Sequence, residues 1–147
     1  MKKIIISLSL LLSAGLTSAF AGNELNPDQK VLEAFKKEFV AAQNVSWAKQ
    51  GDYDKATFVL ADRRTIAYFN TEGELQGFVR DIFFNQLPLA AMTAFDKKYP
   101  GSEVLEVREV SNVDGTNYLV KFETEKKKVS VRVSPEGNID QVEKTAK

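Results

Sequence analysis

Val31, Phe35 and Phe39 recur at i, i+4 and i+8, with Leu32 beside them and Lys30, Lys36, Lys37 and Glu38 on the other side. That spacing gathers the apolar side chains on one stripe and predicts an amphipathic helix of about four turns. Asn26-Pro27-Asp28-Gln29 reads as its start, with Asn26 as N-cap, Pro27 at the first helical position and Gln29 where a capping box places its Gln. A second stripe of Leu89, Met92, Phe95 and Tyr99 begins after Pro88 and is stopped by Pro100-Gly101. After each helix the apolar period falls to two. Strands are expected at about 44–49, 54–61, 64–70 and 75–83, and again at about 103–110, 117–123, 127–133 and 138–144. Gly51-Asp52, Ala61-Asp62-Arg63, Glu72-Gly73, Asp114-Gly115 and Pro135-Glu136-Gly137-Asn138 supply the turns between them. Strands joined by such short turns pair antiparallel.

The two halves repeat. Ala34 to Phe39 lies over Ala94 to Tyr99 at a shift of 60, and Asn70-Thr71-Glu72-Gly73 lies over Ser134-Pro135-Glu136-Gly137 at a shift of 64. The four-residue difference fits a longer hairpin around Asn112-Val113-Asp114-Gly115. Between these anchors Ala56 and Phe58 match Val120 and Phe122, while Thr65, Ala67 and Phe69 match Val129, Val131 and Val133. The expected fold is therefore α+β: tandem helix-plus-four-strand units, at 22–84 and 85–147, in one compact domain. The Phe58/Phe122 phase of the antiparallel sheet is buried against helices lying on one face.

The first 21 residues change the picture of where this chain works. Lys2-Lys3, an apolar run from Ile4 to Leu12 and Ala19-Phe20-Ala21 form the three parts of a cleavable signal, with the cut expected before Gly22. The apolar run is too short to span a bilayer, which needs about 20 such residues. Export to the periplasm, or secretion, follows. Removal of Lys2 and Lys3 leaves 18 basic against 20 acidic residues, so the basic surplus that nucleic-acid binding needs is missing. The chain has no Cys and no His, which excludes lipoprotein anchoring through cysteine, disulfides, thiol catalysis, imidazole catalysis and zinc sites of Cys/His type. The phenylalanines and the single Trp47, which aligns with Val107, must therefore build the core without staples.

Candidate chemistry is sparse. No Gly-rich phosphate loop, nucleophile elbow or metalloprotease helix motif occurs. Asp52 with Asp54, and Glu72 with Glu74, are the two carboxylate pairs that a hydrolase could use, but both flank glycine turns, where acids serve turn formation. Asp52-Tyr53-Asp54 offers too few oxygens for calcium. Lys126-Lys127-Lys128 reads as a solvated hairpin tip beside Glu123 and Glu125, and Asn44-Val45-Ser46 fits a glycosylation pattern that only a eukaryotic secretory pathway uses. No metal or cofactor is expected.

The outward phase of the strands is more informative. In the second half it carries Lys121, Ser130 and Arg132, whereas in the first it carries Thr57, Val59, Ile66 and Tyr68. Val59, Ile66 and Tyr68 are thus the expected partner-binding residues, on a surface that a protein, a peptide or a second copy of the chain covers, unless the linker or a terminus folds over it. On this reading Tyr68→Ala leaves folding almost untouched, and Phe69→Ala removes core. Phe83 and Phe84 cannot both point inward; one extends the patch or packs under the connection.

Phe35 and Phe39 before Trp47, then Tyr53 to Phe58, Ala67-Tyr68-Phe69 and Gly73, followed by Leu87-Pro88, Tyr99-Pro100, Tyr118 and Gly137, resemble the PepSY-like, β-lactamase-inhibitor-like exported proteins common in Bacteroides-type bacteria. The resemblance implies a duplicated helix-plus-four-strand fold and a non-enzymatic binding module, with enzyme inhibition through the sheet surface as one use. The competing readings are a small-ligand or envelope-stress sensor with a pocket between helices and sheet, and a carboxylate hydrolase. The Phe-rich interior argues for filling rather than for a pocket.

Overall fold

The computed structural model describes the backbone of residues 26–146 and the side chains of residues 26–140. The expected signal at 1–21 and its cleavage site lie outside the described residues. Helix α1 (Gln29–Glu38) precedes strands β1 (Gln43–Gln50), β2 (Tyr53–Leu60), β3 (Arg63–Phe69) and β4 (Leu75–Ile82). A single 3-10 turn at Phe84–Gln86 leads into helix α2 (Leu89–Lys98) and strands β5 (Glu103–Asn112), β6 (Gly115–Glu123), β7 (Lys127–Val133) and β8 (Ile139–Ala146). All eight strands form one sheet in sequence order, and every neighbouring pair is antiparallel. The order follows from the short turns within each half. The halves join where β4 pairs with β5, from Gly77↔Asn112 to Ile82↔Val107.

Both helices cover the same face. Phe78 packs with the α1 cluster and Ile82 with the α2 cluster, and these two residues share one phase of β4. Val31 and Phe35 of α1 pack on Ala56, Phe58, Ala67 and Phe69, and Ala91 and Phe95 of α2 pack on Val107, Val120, Phe122 and Val131. The small residues on the strands, Ala56 and Ala67, leave room for the aromatic rings above them. Phe35 meets Phe58 edge-to-face at 5.0 Å and 86°, and Phe95 meets Phe122 at 5.1 Å and 87°. Phe39 and Tyr99 close each triad, with ring centroids 4.8 and 4.5 Å from Phe58 and Phe122 respectively. Edge-to-face geometry sets a positive ring edge against a negative face, which adds about 0.5–1.5 kcal/mol per pair to the burial itself. Trp47 is a core residue as well, its ring 5.1 Å from Phe35.

Two local expectations, at Asn26 with its helix and at Leu89, are corrected. Asn26 does not cap α1: Asp28 occupies the N-cap position, without a side-chain cap bond, and the ten-residue helix is a turn shorter than expected. Leu89 is not on the core stripe of α2 but 73% exposed, because the first helical position faces away from the Ala91–Phe95 line; Leu87, before the helix, is buried instead. Phe84 packs against Phe95 at 5.3 Å, while Phe83 stays exposed with the Arg63 guanidinium 3.5 Å above its ring.

Candidate functional site: the helix-free face of the sheet

Register assembles the outer face from alternate residues of the strands. Thr57, Ile66, Val79 and Val110 stand side by side on β2 to β5, all half-buried. Val59 and Leu119, also half-buried, stand in the neighbouring row, which continues through Arg64, Asp81 and Arg108. Both helices pack on the opposite side, so among the described residues this aliphatic row has no helix over it.

Tyr68 shares this face but not its exposure. It is 4% exposed, against the expectation of a solvent-facing side chain. Tyr68 stands on β3 between Lys55 of β2 and Gly77 of β4, so paired strands flank it on both sides. Burial raises the Tyr68 phenol above its ordinary value, and the nearby cations of Arg64 and Arg108 oppose that rise. Tyr68 is therefore part of the floor of this surface, and Val59 and Ile66 are accessible parts of it. Ser130, expected on a wet face, is 9% exposed, while Arg132 is exposed and Lys121 half-buried.

Charge is arranged around the row. Arg108 draws in two acids, with Nε 3.4 Å from Asp81 Oδ1 and Nη2 paired to Glu106. Arg64 and Lys55, on the two sides of the aliphatic row, have no carboxylate within ion-pair distance among the described residues. On the helix side, where the two cores meet, Arg80 Nη2 donates to both carboxylate oxygens of Glu109 at 3.1 Å.

The structure disperses the carboxylate pairs. Asp52 is exposed in the β1–β2 turn, but Asp54 is 3% exposed on the helix side and holds Lys49 Nζ at 2.9 Å. Its burial corrects the expectation that turn acids are solvated: β2 begins at Tyr53, so Asp54 already belongs to the phase of Ala56 and Phe58. Glu74 accepts from Asn70 Nδ2 at 2.7 Å and Glu72 accepts from Thr71 Oγ1 at 3.0 Å, both as turn contacts. Among the described residues no three His, Cys, Asp or Glu side chains converge as metal ligands, and no helix is long and apolar enough to cross a membrane. Among the described residues two open hollows lie beside α2: one of about 400 Å³ between Tyr99-Pro100-Gly101 and Lys126-Lys127, another between Lys98 and Gly137-Asn138.

Sequence reasoning missed Val79, Val110 and Leu119. In β4 both phases carry apolar residues, Phe78 and Ile82 inward against Val79 outward, so alternation alone does not separate core from surface there. The outward alignment with Ile66 and Thr57 was the signal, and it requires the register.

No protein-family model matches the chain, and the comparison with curated proteins gives no match. Solved structures do match. A BLIP-like protein from Bacteroides fragilis superposes with a TM-score of 0.71 at 25% identity, over 84% of this chain and 89% of that one. A DUF2874 family protein from Bacteroides uniformis gives the same TM-score of 0.71 at 21% identity, over 82% of this chain and 90% of that one. A protein from Bacteroides eggerthii whose name carries a periplasmic assignment also gives 0.71, at 19% identity, over 83% of this chain and 90% of that one. The chain has the fold of these BLIP-like proteins.

Proposed function

We propose that this chain is an exported, non-enzymatic binding module that holds a protein or peptide on the helix-free face of its sheet, in a PepSY-like and BLIP-like family of periplasmic proteins. The module follows a cleaved signal at 1–21 and consists of repeats at 22–84 and 85–147. The observation that carries the reading is the half-buried aliphatic row Thr57–Ile66–Val79–Val110, extended by Val59 and floored by Tyr68, on a face that neither helix covers. A contiguous apolar patch of this kind is stabilised by exclusion of water when a complementary surface covers it. The name of the Bacteroides fragilis neighbour supports inhibition of an enzyme as one form the docking takes. The aromatic-filled space between helices and sheet favours this reading over a ligand-sensing pocket.

Crosslinking from intact periplasm, followed by mass spectrometry, tests it. A reproducible partner captured by the natural chain and lost by Val79→Asp, with an unchanged circular dichroism spectrum, is the expected result. A partner retained by Val79→Asp and by Ile66→Asp places the docking surface elsewhere and overturns the reading.

A further inference from the structure

The outer face has a charge pattern of its own. The exported chain is slightly acidic, with 18 basic against 20 acidic residues after removal of the expected signal. Around the aliphatic row the balance is reversed. Arg108 pairs with Asp81 and Glu106, which offsets part of the charge of the two acids nearest the row. Lys55 stands one row to one side, beside Tyr68, and Arg64 stands one row to the other, beside Val59. Arg64 is exposed and Lys55 half-buried, and among the described residues no ion pair holds either one. The two cations are two cross-strand rows apart, so with about 3.3 Å of rise per residue they straddle the apolar strip at a spacing of about 13 Å. Lys121 adds a third cation further along, since its cross-strand neighbour Glu106 is engaged by Arg108.

We infer that the occupant of this face is a protein surface bearing carboxylates on both sides of an apolar ridge: the ridge covers Ile66, Val79 and Val110, and the carboxylates meet Lys55 and Arg64. The inference rests on the docking reading above and adds the chemistry of the partner. A second copy of the chain fits less well, because face-to-face association brings the same cations against one another, and like charges in an interface disfavour it. Lysine and arginine at the rim, rather than in the apolar centre, keep their water until the partner arrives. They therefore act mainly on the rate of encounter and on the choice of partner.

The test uses the exported chain without its signal and two synthetic peptides, one alternating leucine with glutamate and its twin alternating leucine with lysine. The glutamate peptide is expected to shift the methyl resonances of Ile66, Val79 and Val110, to bind on the order of tenfold more weakly to Lys55→Glu/Arg64→Glu, and to weaken steeply with added salt. Equal or tighter binding of the lysine twin overturns the inference, as does binding of anionic lipid vesicles through this face without the peptide. A concentration-dependent dimer that Val79→Asp abolishes overturns it too. If a periplasmic partner is lost on Val79→Asp but kept by Lys55→Glu/Arg64→Glu, the docking reading stands and the acidic-partner inference fails. If that partner survives both variants, the docking reading itself fails.

Discussion

Gly73 lies so close beneath Lys30 that a Cβ on the glycine would sit 2.9 Å from the Lys30 carbonyl oxygen. The second half repeats the contact: a Cβ on Gly137 would sit 2.8 Å from the Ala90 carbonyl oxygen and 3.0 Å from Ala94 Cβ. Each glycine ends a turn built in the same way, with Asn70 Oδ1 accepting from the Glu74 amide at 2.8 Å and Ser134 Oγ accepting from the Asn138 amide at 3.2 Å. Each helix is thereby seated on the turn between the third and fourth strands of its own half. The glycines have φ of 83° and 93°, so a side chain meets an unfavourable backbone and an immovable carbonyl together.

Gly73→Ala and Gly137→Ala are each expected to cost about 2–4 kcal/mol in urea unfolding, from left-handed backbone strain plus displacement of the helix. Gly51→Ala is the control: its φ is 60° but nothing lies within 4 Å of the new Cβ, so only the backbone cost of about 1 kcal/mol applies. Equal losses at all three positions would show that the helix seat contributes nothing.

The β2–β3 hairpin turns through Ala61 and Asp62 at φ 50° and 59°. Two positive φ values in a two-residue hairpin favour Asn-Gly, and alanine has neither the side-chain hydrogen bonding of Asn nor the freedom of Gly. Replacing the pair by Ala61→Asn with Asp62→Gly is expected to stabilise the fold by about 1 kcal/mol, seen as a higher thermal midpoint. A lower midpoint would show that Asp62 makes a contribution that turn chemistry does not account for.

Most of the fold was legible because its signals are local. The aromatic stripes gave both helices, and the glycine and aspartate turns gave eight strands in antiparallel order. The shifts of 60 and 64 recur in space, where Phe35 corresponds to Phe95 and Phe58 to Phe122. Exposure on the outer face was less legible. Val59 and Ile66 lie where the alternation puts them, yet Tyr68 is buried, between Lys55 and Gly77, which are set beside it only by strand pairing. Asp54 is a similar case: its place in a turn-rich stretch hid the fact that the strand has already begun and that Lys49 waits across β1. Cross-strand neighbours decide both cases, and composition does not encode them.

Burial of Tyr68 changes what its substitution does. Tyr68→Ala removes a ring from a nearly closed environment and is expected to cost about 2–4 kcal/mol of stability, close to the 3–5 kcal/mol for Phe69→Ala. Tyr68→Phe keeps the ring and separates packing from the phenol. The folded-state pKa of Tyr68 is raised from 10.0 by burial, so above pH 10 the unfolded chain loses its phenolic proton while the folded chain keeps it. The unfolded state then binds fewer protons, and stability falls as pH rises from about 10 toward the folded-state value. Tyr118 adds to the same slope, its pKa raised by burial and by Glu109. Urea midpoints measured between pH 9 and 11 should therefore fall more gently for Tyr68→Phe than for the natural chain. Parallel slopes would mean that the phenol ionises freely in the folded protein.

Two similar cores under one sheet raise the question of whether the halves unfold separately. The β4–β5 seam answers through its side chains: Phe78 and Ile82, four residues apart on one strand, belong to different cores, and Arg80 between them is tied to Glu109 on β5. Melting one half exposes the seam strand of the other, so a single cooperative transition is expected. Trp47 reports only the first core, where it packs 5.1 Å from Phe35, whereas Tyr99 and Tyr118 lie in the second. Phe35→Ala, which removes a ring in contact with Phe39, Trp47, Phe58 and Phe69, should cost about 3–5 kcal/mol, and Phe95→Ala a comparable amount. Under a single transition, tryptophan fluorescence and far-ultraviolet circular dichroism move to lower urea together in both variants. If Phe95→Ala leaves the tryptophan transition in place while the dichroism splits into two steps, the seam does not couple the halves, and each helix-plus-four-strand unit folds as an independent domain.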